Sequence, residues 1–321
     1  MFLARNFIAT LFAVIFCAGP WLSAAEVPLT LRSNDVVAFV GGSDVAATQF
    51  SGHLETLLVL RFPGARFRNF GWEGDTVFAQ PRDVGFPPLA EHFRRAGITV
   101  LFIEFGRAEA LSSKESVPAF SAACEKLVSD WGRVVPRVVL ITPPPFESGG
   151  DLLPDLSPRN KELAARANAI RALAQGRKLL LIDLFSELGG AGHVEPRLTD
   201  NGLQLTPRGH ALTAMAFMRQ LGVGESMPLT EDMNGLGVWS NARLETLRQL
   251  VVEKNRLWFN YWRPQNWAFL GGDRTSQPSS RDHRNPNVRW FPAEMEKYVP
   301  LIRAKEQEIE QAAAMLRGGA R

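Results

Sequence analysis

The stretch Asp35-Val-Val-Ala-Phe-Val-Gly-Gly-Ser-Asp44 decides the fold. An almost uninterrupted run of β-branched and aromatic residues flows into two glycines and a serine. That pattern reads as a buried strand ending in a tight turn. In an open parallel sheet, ligands bind just beyond the carboxyl ends of the strands, so a serine delivered there is placed to meet a substrate.

Working outward, the same kind of apolar run returns at Ala65 to Phe70, Ile98 to Glu104, Arg137 to Ile141 and Leu179 to Leu184, which with Asp35 to Val40 makes five strands. Between them lie segments of helical periodicity at about Gly52–Arg61, Pro87–Arg95, Val117–Trp131 and Pro158–Ala174, the last with Ser157 as its cap, and Pro207–Leu221 follows the fifth strand. Strands alternating with helices predict an α/β protein. With right-handed crossovers this becomes a three-layer, doubly wound sandwich around a five-stranded parallel sheet of flavodoxin-like order.

The chain has 321 residues and begins with a segment of one charge, Arg5, an apolar run from Phe7 to Cys17 and small residues at Ser23, Ala24 and Ala25. This pattern predicts a signal peptide over 1–25 and an exported protein, periplasmic or extracellular. The apolar run is broken by Gly19 and Pro20 and is short for a bilayer-spanning helix, so no membrane span is expected after cleavage. Past it the only cysteine is Cys124, which excludes an internal disulfide and a cysteine framework for zinc. The net charge of +3 is spread along the chain and argues against a nucleic-acid partner.

Composition breaks after Leu221, where Gly222, Gly224, Pro228, Asn234, Gly235 and Gly237 mark a linker. We therefore divide the chain into the leader, a main domain over 26–222 and a C-terminal extension over 223–321. The extension holds five of the eight tryptophans, a helix from about Asn241 to Leu257, a polar loop from Gly271 to Asn287 and a charged helix from Ala293 to about Leu316. Its aromatic residues are expected to pack on the main domain. Docking of a protein partner is the other use they suggest, and the polar loop reads either as a surface wrap or as a lid.

Each polar cluster follows a strand: Gly41-Gly-Ser-Asp44, Gly71-Trp-Glu-Gly-Asp-Thr-Val77, Gly106-Arg-Ala-Glu109, Thr142-Pro-Pro-Pro-Phe-Glu147 and Leu198-Thr-Asp-Asn-Gly-Leu-Gln-Leu-Thr-Pro-Arg-Gly-His210. Their order resembles the SGNH (GDSL) hydrolases, a family of esterases, lipases and carbohydrate O-acyl esterases, and the likeness spans roughly Asp35 to Leu221. The extension, with Tyr261-Trp-Arg-Pro-Gln-Asn-Trp267 and Gly272-Asp-Arg274, is similar to tails of secreted SGNH-like proteins of planctomycete and verrucomicrobial type. By this resemblance Ser43 holds the nucleophile position and Gly74 supplies a backbone N–H to the oxyanion. The family's Gly-x-Asn-Asp is here Gly106-Arg-Ala-Glu109, so Ala108 replaces a side-chain oxyanion donor. Its Asp-x-x-His is here Asn201-Gly-Leu-Gln204, so Gln204 replaces the general base.

Without a base a serine hydroxyl is a poor nucleophile. His210 and His53 are the candidates to replace it. His210 is expected on the first turns of a helix, a turn and a half from Gln204 and so facing away from the site. Asp44, Glu73, Asp75, Arg107 and Gln204 are the expected substrate-binding groups, with Gln49, Glu55 and Arg82 nearby. A cleft so polar suits a carbohydrate or another small polar ligand, and no cofactor or metal is expected. Two functions follow: an esterase acting on acyl esters of carbohydrates, or a catalytically inactive glycan-binding or scaffolding pseudoenzyme.

Overall fold

A computed structural model describes residues 29–190, 197–222 and 232–318. The leader and most of the linker lie outside the described residues. Five strands, β1 (Val36–Gly41), β2 (Arg66–Asn69), β3 (Val100–Glu104), β4 (Arg137–Thr142) and β5 (Leu180–Asp183), form one sheet of order β2-β1-β3-β4-β5. All four pairings are parallel, with Val37 opposite Val100 and Val139 opposite Leu180. The doubly wound α/β architecture read from the alternating pattern is the one observed. The strand order reverses between β1 and β3, which opens a crevice at their carboxyl ends.

The helices are α1 (Ser43–Ser51), α2 (His53–Arg61), α3 (Leu89–Ala96), α4 (Arg107–Ser112), α5 (Val117–Gly132), α6 (Asn160–Arg177), α7 (Leu184–Glu187), α8 (Pro207–Gln220), α9 (Ala242–Trp262), α10 (Trp267–Leu270), α11 (Trp290–Glu296) and α12 (Tyr298–Gly318). Side chains alternate along each strand, so the sheet feeds two cores. Val37, Phe39, Val100, Phe102, Val139 and Ile141 pack under α2 and α8. Ala38, Val40, Leu101, Ile103, Val138 and Leu140 pack on the other face, against Phe93 of α3, Phe120 and Trp131 of α5 and Ile170 of α6.

Two local expectations are corrected. Ser157 does not cap the helix that follows: it opens a 3-10 turn, Ser157–Arg159, and α6 begins at Asn160. Ser43 does not sit in an irregular turn; it is the first residue of α1.

In the extension, α9 runs beside the open edge of the sheet at β2. Leu247 and Val251 join one core, while Trp258 and Trp262, further along, join the other. Trp258 Nε1 donates to Asn69 O at 2.8 Å, and Lys254 Nζ donates to Phe67 O at 3.0 Å. Both carbonyls point away from β1, so α9 supplies the partners that a sixth strand would otherwise have given. Among the described residues, no helix is long and apolar enough to cross a membrane.

Candidate active site

At the carboxyl edge of the sheet the loops enclose a cleft of about 640 Å3. Its walls include Ser43 and Asp44 after β1, Glu73 and Asp75 after β2, Arg107 and Ala108 after β3, and Gln204 and His210 before and on α8. The clusters scattered through 170 residues of sequence therefore converge on one cavity, as expected of loops that follow parallel strands.

Backbone geometry explains two of the glycines. Asp75 N–H donates to Trp72 O at 3.0 Å and Gly74 has φ of 85°, which is the type II turn that favours glycine at its third position. Among the described residues the Gly74 N–H donates to no acceptor, so it is free for a ligand. A Cβ at Gly42 would stand 2.9 Å from Asp75 O, so only glycine lets the first two loops approach this closely. Ser43, exposed at the start of α1, makes no side-chain hydrogen bond to the described residues, and helix N-termini favour developing negative charge.

The charged groups are braced in pairs. Arg107 Nη1 donates to Asp44 Oδ1 at 2.6 Å, with its guanidinium 5.2 Å from the centre of the Phe146 ring. Arg82 holds Asp75 through two hydrogen bonds of 2.6 Å. Burial alone would raise the Glu73 carboxyl, but the hydrogen bond and charge of Arg263 hold it below its ordinary range. Arg263, from the end of α9, meets Glu73 at 2.6 Å and lies 3.7 Å from the Trp72 ring centre, with Arg82 at 4.2 Å from the same ring. The extension thus reaches the rim of the cleft. Glu109 accepts from Val77 N at 2.8 Å and Gly106 N at 2.9 Å and so ties the second and third loops together. No residue of the polar loop 271–287 lines the cleft. Among the described residues no three His, Cys, Asp or Glu side chains are grouped to hold a metal ion.

Gln204 belongs to a short hairpin, bridged between Thr199 and Leu205, in which its Oε1 accepts from Asn201 Nδ2 at 3.2 Å. Glu147 anchors this hairpin by accepting from Leu198 N at 3.0 Å and Thr199 N at 2.8 Å. Because Thr206 caps α8 and helix begins only at Pro207, His210 is in the first turn and faces the cleft. The expectation that helical rotation turns it away is therefore corrected. Its imidazole makes no hydrogen bond among the described residues. His53 is corrected in the opposite sense. It is 1% exposed and does not line the cleft; its Nε2 donates to Gly237 O at 2.7 Å, and its ring packs 4.9 Å from that of Trp239. Gln49 and Glu55, grouped with it by sequence, also lie outside the cleft; Glu55 pairs with Lys254 at 2.6 Å.

A GDSL-like lipase/acylhydrolase family model matches residues 37–212. The chain belongs to that family. Solved structures with a similar fold include an alpha/beta hydrolase enzyme from the metagenome of Lake Arreo, Spain, at 16% identity, covering 60% of this chain and 98% of that one with a TM-score of 0.48. A catalytic mutant of an acetylxylan esterase from Geobacillus stearothermophilus is 16% identical, with 60% and 97% covered and a TM-score of 0.47. The lipase/acylhydrolase from Enterococcus faecalis is 18% identical, with 61% and 98% covered and a TM-score of 0.47. Among curated proteins none matches the chain.

A rim residue, Arg263, and a cleft residue, Glu104, of this GDSL-like chain are absent from the residues expected from sequence. Arg263 comes from nearly 200 residues away and carries no local signal. Glu104 did carry one: it is the lone acid closing an otherwise apolar strand, Val-Leu-Phe-Ile-Glu, at the edge where ligands bind. It lines the cleft, and its Oε1 is buried with no hydrogen-bond partner among the described residues.

Burial holds three histidines neutral, His53, His92 and His210, each pushed down to about 4. In His53 the cause is plain, because Nδ1 is buried without an acceptor for a second proton. The unfolded chain binds protons at these groups near the ordinary value of 6.5, the folded chain only near 4. Their stabilisation is thus complete above pH 6.5 and is lost as pH falls towards 4. Thermal melting should drop across that window, with His53 alone accounting for about 3 kcal/mol. His53→Gln, which keeps a donor for Gly237, should show a shallower fall; parallel melting curves for the two proteins would rule out this role for His53.

Proposed function

We propose that the cleft hydrolyses acyl esters, small acyl groups on carbohydrates, with Ser43 as nucleophile and His210 as the base that takes its proton. The observation that carries this reading is that an exposed serine at a helix N-terminus and an imidazole with no hydrogen bond among the described residues line the same cavity. The free N–H of Gly74 and that of Ser43 are the oxyanion donors this reading uses. A rim of Asp44, Glu73, Asp75 and Arg107, with Gln204 beside them, suits a substrate bearing hydroxyl groups. The leader-like first 25 residues support export, so the substrate is taken to be met outside the cytoplasm. We take 26–222 as the hydrolase unit and the extension as its structural complement.

The test is hydrolysis of an aryl acetate and of acetylated xylo-oligosaccharides by the purified protein and its Ser43→Ala variant. Since Ala108 offers no side-chain donor, the native rate is modest, and the variant should be slower by roughly tenfold or more. Equal rates would overturn the esterase reading. They would favour the second reading, a glycan-binding pseudoenzyme, for which the presence of Ala108 and Gln204 on the cleft wall is the specific support. Oligosaccharide binding that weakens in Arg107→Ala but not in Ser43→Ala would then identify it.

A further inference from the structure

Beside the cleft, between α1, α8 and the ends of β1, β3 and β4, lies a second, smaller chamber of about 40 Å3. Phe39 and Phe217 form part of its apolar wall, and Asp44, Glu104, His210 and Thr213 supply its polar groups. Asp44, Glu104 and His210 also line the large cleft, so the chamber adjoins the substrate side. Among the described residues, Glu104 Oε1 and Thr213 Oγ1 are buried with no hydrogen-bond partner, and the His210 ring makes no hydrogen bond either. Buried polar groups are ordinarily satisfied, and a water needs about 10–15 Å3 of such space, so the chamber has room for about two or three waters.

We propose that Glu104 and His210 form one proton-sharing unit, bridged by water in this chamber, and that Glu104 is the positioning residue that decides when His210 can act as a base. This rests on the esterase reading above for its catalytic consequence, while the pairing itself does not. Gln204 is not needed for it.

Sequence placement explains why the two meet. Glu104 continues the alternation that puts Val100 and Phe102 on the α8 side of the sheet, and it lies opposite Gly41 of β1, over which the Val45 side chain packs. His210 and Thr213 are three residues apart on α8 and so share a face. The other charged groups facing the pair are Asp44 of α1, Arg107 of α4, which holds Asp44 at 2.6 Å, Glu109 of α4, and Asp200, Glu73 and Asp75 across the cleft. His53 of α2 is near enough for its charge and that of His210 to repel.

The charge balance then sets the chemistry. Burial first, and the Asp44 carboxylate second, raise the Glu104 carboxyl well above its ordinary range, with Arg107 opposing. While Glu104 keeps its proton, moving the Ser43 proton to His210 would create a buried cation beside a neutral acid. Once Glu104 has ionised, the same transfer creates a neutral-sum ion pair, which costs far less in a medium of low dielectric. In that state Ser43 Oγ bonds to the acyl carbon as its proton passes to His210. That proton then goes to the ester oxygen as the carbon–oxygen bond breaks and the alcohol leaves. Water adds by the same exchange, releasing the acid and restoring Ser43. Hydrolysis should therefore rise with pH as Glu104 loses its proton.

The test is an NMR titration of the His210 ring in the wild type and in Glu104→Gln, with pH–rate profiles on an aryl acetate alongside. The wild-type ring should show a second inflection far above the carboxylate range, and Glu104→Gln should abolish it. The variant should also lose the alkaline rise in rate, by roughly tenfold at its top. Superimposable His210 titrations would overturn the pairing. Should Glu104→Gln fail to fold, carbon-13 labelling of glutamate carboxyls in the wild type takes its place: one carboxyl must titrate far above the rest and at the same pH as the His210 inflection, or the proposal falls. The two ideas fail separately. Activity insensitive to Ser43→Ala with a Glu104-linked inflection removes the esterase reading and keeps the pair, whereas activity that needs Ser43 but has the same pH profile in Glu104→Gln removes the pair alone.

Discussion

Ala108→Asn is expected to raise the turnover of an acetyl ester by about 100-fold with little change in KM. The oxygen of a tetrahedral intermediate carries charge that the ground-state carbonyl lacks, so a donor aimed at it acts on the transition state, and one such donor is worth about 10^2–10^3 in turnover. Ala108 is exposed on the wall of the cleft and lies in the first turn of α4, so an asparagine there meets no packed neighbour and extends into the cavity. This is the position at which the family pattern Gly-x-Asn-Asp has its asparagine. The gain should vanish when Ser43→Ala is added, and an unchanged turnover in Ala108→Asn would mean that the oxyanion does not form at this place. Adding Gln204→His then separates two accounts of the base. If His210 already takes the serine proton, a second imidazole on the exposed hairpin adds little. A further gain of about 100-fold would instead assign the base to position 204 and leave His210 idle.

The strands were legible because β-branched runs such as Val36–Val40 and Val138–Ile141 have no other way to bury themselves, and the polar clusters could be assigned to one sheet edge by chain order alone. The first helix was not legible. Ser43–Ser51 carries Ser43, Asp44, Thr48 and Ser51, which are weak helix formers, and it is helical because Val45 and Ala46 pack on the sheet while the glycine turns bring the second loop against its start. The orientation of His210 depended on where α8 begins, since a rotation counted from Gln204 has no meaning when residues up to Leu205 form a hairpin. The fate of His53 depended on Trp239 and Gly237, more than 180 residues away. Pair contacts of that separation leave no periodic trace, and the same holds for Glu73 with Arg263 and for Lys254 with Glu55.

Lys254→Ala is expected to be among the most damaging single changes in the molecule, lowering stability by about 3–5 kcal/mol and melting by roughly 10 °C. Lys254 is 1% exposed, and its ammonium meets Glu55 at 2.6 Å, Asn255 Oδ1 at 2.7 Å and Phe67 O at 3.0 Å. Removing it strands the Glu55 carboxylate and leaves a void beside the edge strand. Lys254→Met combined with Glu55→Leu should cost much less than either single change, because a buried pair replaced by apolar groups of similar size leaves no uncompensated charge. Chemical denaturation of Lys254→Met, Glu55→Leu and the double variant measures this coupling, and a loss below about 1 kcal/mol in Lys254→Ala would mean that water reaches the pair. The consequence extends beyond stability. Lys254 and Trp258 occupy the outward carbonyls of β2, the strand that ends in the loop carrying Glu73, Gly74 and Asp75, and Arg263, just past the end of the same helix, grips that loop. An unoccupied edge is a template for pairing with another chain. Loosening α9 should therefore promote self-association and disturb the oxyanion loop together, so that the tail acts on the cleft through the strand it covers.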